Sequence, residues 1–298
     1  MKEVPWLTKG GEATVLSSAQ SHLKGKTVRV ESFSGGGAGQ ASGVLVSTGG
    51  GAGETLRPWQ LVEKGFRSSF KVRSLGKGIR FLEWQGYENN ANAVLLGDPP
   101  SVLVDSGHFH LMGSLLVALA GEGVALESLK AVLYTHAHPD HFDSAGVLAQ
   151  AGVPVGLHPS ESEFLRGQGA VLFRFMGVSV PQVEVSISLE QGQRTVAGIE
   201  LEITHTPGHS PGSVCLHWRP EGALCCGDVV FPGGAFGRCD FPGGSYRVLL
   251  DSVGLIDGSG ARFLLSGHGP AVEGCEEVAA AIAESRGNLR SIVFSPFA

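Results

Sequence analysis

Thr135-His136-Ala137-His138-Pro139-Asp140-His141 places three imidazoles and one carboxylate within six consecutive positions. No fold needs that density of donors for stability. Imidazole nitrogen and carboxylate oxygen suit zinc and its borderline neighbours. His136 and His138 stand two residues apart, so on an extended segment they point to the same side. Pro139 forces a turn, after which Asp140 and His141 face a second point close by. One short loop therefore offers ligands to two metal ions.

Working outward, three more residues supply what the loop lacks. His209 lies in Thr206-Pro207-Gly208-His209-Ser210, Asp228 follows Gly227, and His268 lies in Ser266-Gly267-His268-Gly269-Pro270. Each comes after an apolar run that reads as a strand: Ile199 to Ile203, Ala223 to Cys226, and Phe263 to Leu265. Glycine and proline around each allow the sharp turn that carries the side chain inward.

Taken together these pieces resemble the metallo-β-lactamase superfamily in its binuclear hydrolase form, over roughly residues 76–298. The resemblance implies that His136, His138 and His209 hold one metal. It implies that Asp140, His141 and His268 hold a second and that Asp228 bridges the pair. Two divalent ions are expected, zinc first, with iron or manganese as alternatives. Asp105, in Asp105-Ser106-Gly107 at the end of a strand, resembles the family's Asp-x-Gly element. Its expected task is to orient a ligating histidine, or the loop, by hydrogen bonding. His108 and His110 follow it off the motif and read as surface or near-site histidines. His205 reads as a packed neighbour, and His22, His158 and His217 belong to no constellation.

Short apolar runs alternate with helical ones from Gly76 onward. Strands are expected at Ile79 to Trp84, Ala93 to Leu96, Val102 to Val104, Ala131 to Tyr134 and Val153 to Leu157. Helices are expected at Leu111 to Ala120, Phe142 to Ala151, Pro159 to Arg166, Tyr246 to Ile256 and about Glu273 to Leu289. The pattern alone indicates mixed α and β. The resemblance sharpens it to an α+β fold, the αββα four-layer sandwich, spanning 76–298. Residues 1–75 read as a Gly/Ser-rich N-terminal extension docked on that domain. Within it Thr27 to Val30 and Ser42 to Ser47 read as strands joined by the glycine clusters 35–39 and 49–53, and Trp59 to Phe70 as a short helix. Neither cluster carries the Lys-Ser/Thr of a phosphate loop.

With 28 acidic against 22 basic residues the formal net charge is −6, dispersed along the chain without the basic patch of a nucleic-acid binder. No apolar stretch reaches the roughly 18 residues that span a bilayer. Met1 to Trp6 lacks a secretory apolar block, so a cytoplasmic location is expected. The five cysteines have no paired spacing. Cys225 and Cys226 are expected to pack as small hydrophobes, while Cys239 lies in the loop after Asp228 where substrate would sit.

The chemistry implied is hydrolysis of a small-molecule ester or thioester, like that of hydroxyacylglutathione hydrolase (glyoxalase II). A metal-bridging hydroxide would be the nucleophile and Asp140 its orienting group. The net positive pocket would suit an anionic substrate or leaving group. Phe231 to Ser245 resembles the Gly-Arg-x-Asp-Phe-x-Gly-Gly segment shared by glyoxalase II-like thioesterases and persulfide dioxygenases. Arg238 within it has the fork that grips a carboxylate, or else pairs with Asp240. Thirty residues follow His268, so the C-terminal helical domain with which two-domain glyoxalase II enzymes bind glutathione is not expected. A bridging Asp228 disfavours β-lactam hydrolysis. Two readings compete: a mononuclear iron persulfide dioxygenase using His136, His209 and Asp228, and a non-catalytic metal-binding scaffold, which would expect broken ligands.

Overall fold

The computed structural model describes residues 4–17, 23–34, 43–47 and 53–295. Cluster 35–39, most of cluster 49–53 and His22 lie outside them.

The N-terminal segment builds a five-stranded antiparallel sheet from β1 (Glu12–Val15), β2 (Thr27–Ser34), β3 (Gly43–Ser47), β4 (Glu54–Leu56) and β5 (Leu61–Glu63), in the order β4-β3-β2-β1-β5. The expected helix over Trp59 to Phe70 does not form. Only Pro58–Gln60 makes a 3-10 turn, and Leu61–Glu63 pairs with Val15, Thr14 and Ala13 of β1. Leu61 and Val62 are both buried there, so sheet pairing combined with burial outcompetes a single isolated helical turn.

A seven-stranded sheet follows: β6 (Phe70–Ser74), β7 (Ile79–Trp84), β8 (Ala93–Leu96), β9 (Val102–Val104), β10 (Ala131–Leu133), β11 (Val155–Leu157) and β12 (Val185–Ser188), side by side in chain order. It reaches back past residue 75, because β6 pairs with β7 along its whole length. The third sheet has six strands: β13 (Gly192–Val196), β14 (Ile199–His205), β15 (Val214–Trp218), β16 (Ala223–Gly227), β17 (Phe263–Ser266) and β18 (Val272–Glu273). The helices are α1 (Met112–Gly121), α2 (Pro139–Phe142), α3 (Ala145–Gln150), α4 (Pro159–Arg166), α5 (Gln168–Phe175), α6 (Tyr246–Ile256) and α7 (Cys275–Val293).

Period-two alternation assigns the layers. In the seven-stranded sheet Leu82, Ala93, Leu95, Leu103 and Val132 face the core they share with α1, α3 and the N-terminal sheet. Ile79, Phe81, Val94, Leu96, Val102, Val104 and Leu133 face the six-stranded sheet, meeting Ile199, Leu201, Ile203, Leu216, Phe263 and Leu265. The far face of that second sheet, with Cys215, Leu224, Cys226 and Leu264, packs under α6 and α7. Helices thus cover both outer faces of two packed sheets, as the αββα expectation has it. Vicinal Cys225 and Cys226 point to opposite faces of β16, each buried among hydrophobes as expected.

The N-terminal segment lies against α1. Trp6 meets Phe109 edge-on at 5.5 Å, and Ser68 Oγ donates to the carbonyl of Ser114 (2.8 Å). Gly113 makes room for this contact, since a β-carbon there would stand 2.6 Å from that of Trp6.

One departure bears on the site. The expected helix over Phe142 to Ala151 breaks at Asp143-Ser144 into α2 and α3. The Asp143 carboxylate accepts from the N–H of Phe109 (2.9 Å), and the N–H of Ser144 donates to the carbonyl of Gly107 (3.0 Å). These bonds draw the backbone aside and tie α2 to the loop after β9. Parallel β9 and β10 end at one edge of their sheet, while β14, β16 and β17 run the same way in the other. Asp105, the histidine loop, His209, Asp228 and His268 all follow those five C-terminal ends, where open α/β sheets form their ligand crevice.

Candidate metal centre

The fold brings all seven sequence-marked donors together. His136, His138 and His209 offer ligand atoms within 4.8 Å of one another, as do Asp140, His141 and His268, and His136, His141 and Asp228 form a third such group. Pro139 opens α2 at its first position, so Asp140 and His141 project from the first turn of a helix rather than from a loose loop.

Hydrogen bonds fix the ring tautomers. His141 Nδ1 lies 2.9 Å from Asp105 Oδ2, and an ionised carboxylate only accepts, so the proton sits on Nδ1. His209 Nδ1 donates to the Arg238 carbonyl (2.6 Å). Thr135 gives its N–H to Asp105 Oδ1 (2.9 Å) and its hydroxyl to Oδ2 (2.8 Å), leaving its own oxygen to accept from His136 Nδ1 (3.2 Å). All three rings therefore turn Nε2 inward. The Nε2 atoms of His136 and His209 stand 3.1 Å apart. Two facing lone pairs at that distance repel unless a positive charge lies between them. The spacing is near the roughly 3.3 Å between two nitrogens on a tetrahedral zinc. Buried His138 Nε2 has no hydrogen-bond partner, and His141 Nε2 and Asp228 Oδ1 face each other at 3.2 Å without the geometry of a hydrogen bond. Unpaired buried polar atoms are costly, and divalent cations would satisfy all three, so the donor set fits metal.

The ionisation pattern divides the site. Burial, reinforced by neighbouring imidazoles, pushes His136 well down; burial also lowers His138 to about 3 and depresses His209. His141 and His268 are also penalised by burial, but Asp228 with Asp105 or Asp140 outweighs it and raises both. Burial would raise the carboxyls of Asp140 and Asp228. The surrounding imidazoles, His141 foremost for Asp140 and His268 for Asp228, outweigh it and hold both well below the usual range.

Asp105 has a left-handed backbone (φ 55°), uncommon for a residue other than glycine. Close packing demands glycine at position 267, where a β-carbon would run into Asp228 Oδ1.

Sequence reasoning missed three supporting residues. Glu161, on α4 and fully buried, accepts from the N–H of Ala137 (2.7 Å), the hydroxyl of Ser210 (2.7 Å) and the N–H of Gly212 (2.6 Å). It staples the His136–His138 loop to the His209 loop. Asn89 donates to Asp140 Oδ2 (2.6 Å). Asn92 donates to the carbonyls of Ser266 (3.0 Å) and Gly269 (2.7 Å), clamping the loop of His268. The only hint was the run Asn89-Asn90-Ala91-Asn92.

Other expectations resolve individually. The Arg238 guanidinium forms a two-pronged ion pair with Asp240 (2.9 and 2.6 Å) and lies 4.5 Å over the Phe241 ring. Cys239 is buried, which pushes its thiol up to about 12, and it is not among the residues that line the cleft. His205 stacks on His158 and bonds the Pro211 carbonyl. His108 is buried rather than on the surface, 3.6 Å from Asp143.

A cleft of about 280 Å³ opens beside the donors, lined by His138, Asp140, His209, Asp228 and His268 together with Asn89, Arg238, Leu172, Met176, Phe231, Phe236 and Phe241. No helix among the described residues is long and apolar enough to cross a membrane.

Two packed sheets between helical layers, with clustered histidines and aspartates at one edge, define an αββα architecture with a candidate metal centre. Residues 86–268 match the metallo-beta-lactamase superfamily, and the chain belongs to it. It is 35% identical over 146 residues to a probable metallo-hydrolase of Bacillus subtilis, YqgX, covering 47% of this chain and 68% of that one. It is 31% identical over 148 residues to the hydroxyacylglutathione hydrolase GloC of Haemophilus influenzae, covering 48% and 69%. Among solved structures, TTHA1623 in a di-iron-bound form superposes with a TM-score of 0.55 at 30% identity, over 65% of this chain and 94% of that one.

Proposed function

We propose that the protein is a binuclear metal-dependent hydrolase of an acyl ester or thioester, glyoxalase II-like. One observation carries the reading: Asp228 stands between two donor clusters, with Oδ1 3.2 Å from His141 Nε2 and Oδ2 3.4 Å from His209 Nε2 and 3.6 Å from His268 Nε2. In this reading His136, His138 and His209 hold one ion and Asp140, His141 and His268 the other, with Asp228 shared. Zinc suits the donors best, with iron or manganese as alternatives. Divalent ions bound there supply hydroxide at neutral pH and polarise an acyl carbonyl.

The chain's own residues do the positioning. Asp105 and the Arg238 carbonyl hold the His141 and His209 rings with Nε2 inward. Asp140, steadied by Asn89, orients the attacking oxygen. Phe231, Phe236 and Phe241 give the cleft an apolar wall beside the donors. A C–O bond forms at the acyl carbon and the C–S bond breaks; the electron pair leaves on sulfur, which takes up the proton carried in by the attacking hydroxide, so the products are the thiol and a carboxylate. Arg238, at the cleft wall, accepts an anionic group of the substrate by exchanging its partner Asp240. The substrate is a small molecule and the location cytoplasmic.

The test is hydrolysis of an acetyl thioester by zinc-loaded protein, with loss of activity on Asp228→Ala. A preparation that holds one iron, consumes oxygen with glutathione persulfide and leaves thioesters intact would overturn the reading.

A further inference from the structure

The cleft beside the donors is lined chiefly by hydrocarbon. Outside the donor set, the only polar side chains lining it among the described residues are Asn89 and Arg238, which bond Asp140 and Asp240. The rest of its wall includes Leu172, Met176, Phe231, Phe236 and Phe241. With Arg238 reserved for an anionic group of the substrate, the described wall offers the acyl group mainly hydrocarbon.

The apolar character also extends beyond the cleft. Leu172 lies on α5 and Met176 caps it one turn on; Val171 and Phe175 stand next to them on the same two turns. Leu172 is buried, Met176 half-exposed, and Val171 and Phe175 are 56% and 81% exposed. Phe173, fully buried, anchors the helix in the core. Phe175 does not itself line the cleft, but with Met176, which does, and Val171 it continues the exposed apolar surface along the C-terminal half of α5.

Resting on the thioesterase reading, we propose that the group cleaved is a medium- to long-chain apolar acyl group, which fills the cleft and passes Met176 onto Phe175. The reacting carbonyl sits at the donor cluster and the chain runs away from it along α5. Each methylene buried on this path strengthens binding about fourfold until the path is filled.

Two measurements test this, both with N-acetylcysteamine as the thiol. The first compares kcat/KM of the metal-loaded protein on acetyl, butanoyl and octanoyl thioesters. The second measures, by titration calorimetry, binding of the uncleavable S-methyl and S-octyl thioethers. The octanoyl substrate and the octyl thioether are each expected to exceed their short counterparts by at least about tenfold. Met176→Asp and the surface variant Phe175→Ser should each reduce both ratios several-fold. Hydrolysis with a flat or falling chain-length profile and equal thioether affinities would overturn the inference and leave the thioesterase reading standing. Preferential octyl binding without hydrolysis of any thioester would instead support the apolar site and overturn the thioesterase reading. Absence of both would overturn both.

Discussion

Replacing Glu161 by glutamine tests whether one buried carboxylate aligns the two loops of the three-histidine cluster. The carboxylate accepts three hydrogen bonds from two loops and is fully buried. A glutamine has one acceptor oxygen. Turned toward Ser210 and Gly212, it leaves its amide facing the N–H of Ala137, donor against donor. One charge-assisted bond, worth about 1.5–3 kcal/mol, is lost and a buried donor is left unsatisfied at about 1–3 kcal/mol. Burial raises the Glu161 pKa despite these bonds, so removing the charge returns part of the cost. The net loss expected is about 2–3 kcal/mol, read as a urea midpoint lowered by about 1 M in the metal-free protein. The loosened loops should also weaken metal at His136–His138–His209 by roughly 10–100-fold, with a smaller effect at Asp140–His141–His268. Arg286→Ala, which removes an exposed ion pair with Asp257, serves as the control and should change stability by under about 1 kcal/mol. If Glu161→Gln matches that control in both stability and metal affinity, the stapling argument is wrong.

Acidification should empty the two clusters in order. His136, His138 and His209 have lowered pKa values and stay neutral, whereas His141 and His268 have raised ones and take up protons first as pH falls. Cobalt-loaded protein titrated downward from pH 8 should therefore lose the ion at Asp140–His141–His268 first; simultaneous release, or the reverse order, would refute the assignment. Asp105→Asn keeps a residue that tolerates the left-handed backbone but replaces one accepting oxygen with a donor. Metal affinity is expected to fall about 10–100-fold with the fold intact by circular dichroism, and unchanged affinity would remove Asp105 from the account. Gly113→Val drives a branched side chain into Trp6 and Phe66. It should cost about 1–3 kcal/mol and speed proteolysis within residues 1–75; no change in either would mean that the N-terminal sheet does not depend on that contact.

How much of this was legible in the sequence depends on the range of the interactions. The donor loop is contiguous, and the remaining donors follow apolar runs that end in glycine or proline, so local pattern suffices to pick out residues that the fold then gathers. Glu161 escaped because its partners lie 24 to 51 positions away and a glutamate on a short helix reads as solvent-facing. Helix α5 was missed because Gly167 and Gly169 mark its start as a loop. Strands β1, β4 and β5 have three or four residues each, too few for a period. The stretch from Trp59 has enough apolar residues for either structure, and pairing with β1 decides it. Arg238 shows the opposite case, since its side chain was the visible feature and its backbone carbonyl is what holds His209.

The central claim is most directly tested by anomalous diffraction from crystals of the zinc-loaded protein, measured on both sides of the zinc absorption edge. Two peaks about 3.5–4 Å apart are expected, one among His136, His138 and His209 and the other among Asp140, His141 and His268, with Asp228 reaching both. A single peak, or zinc bound away from these seven side chains, would contradict the account.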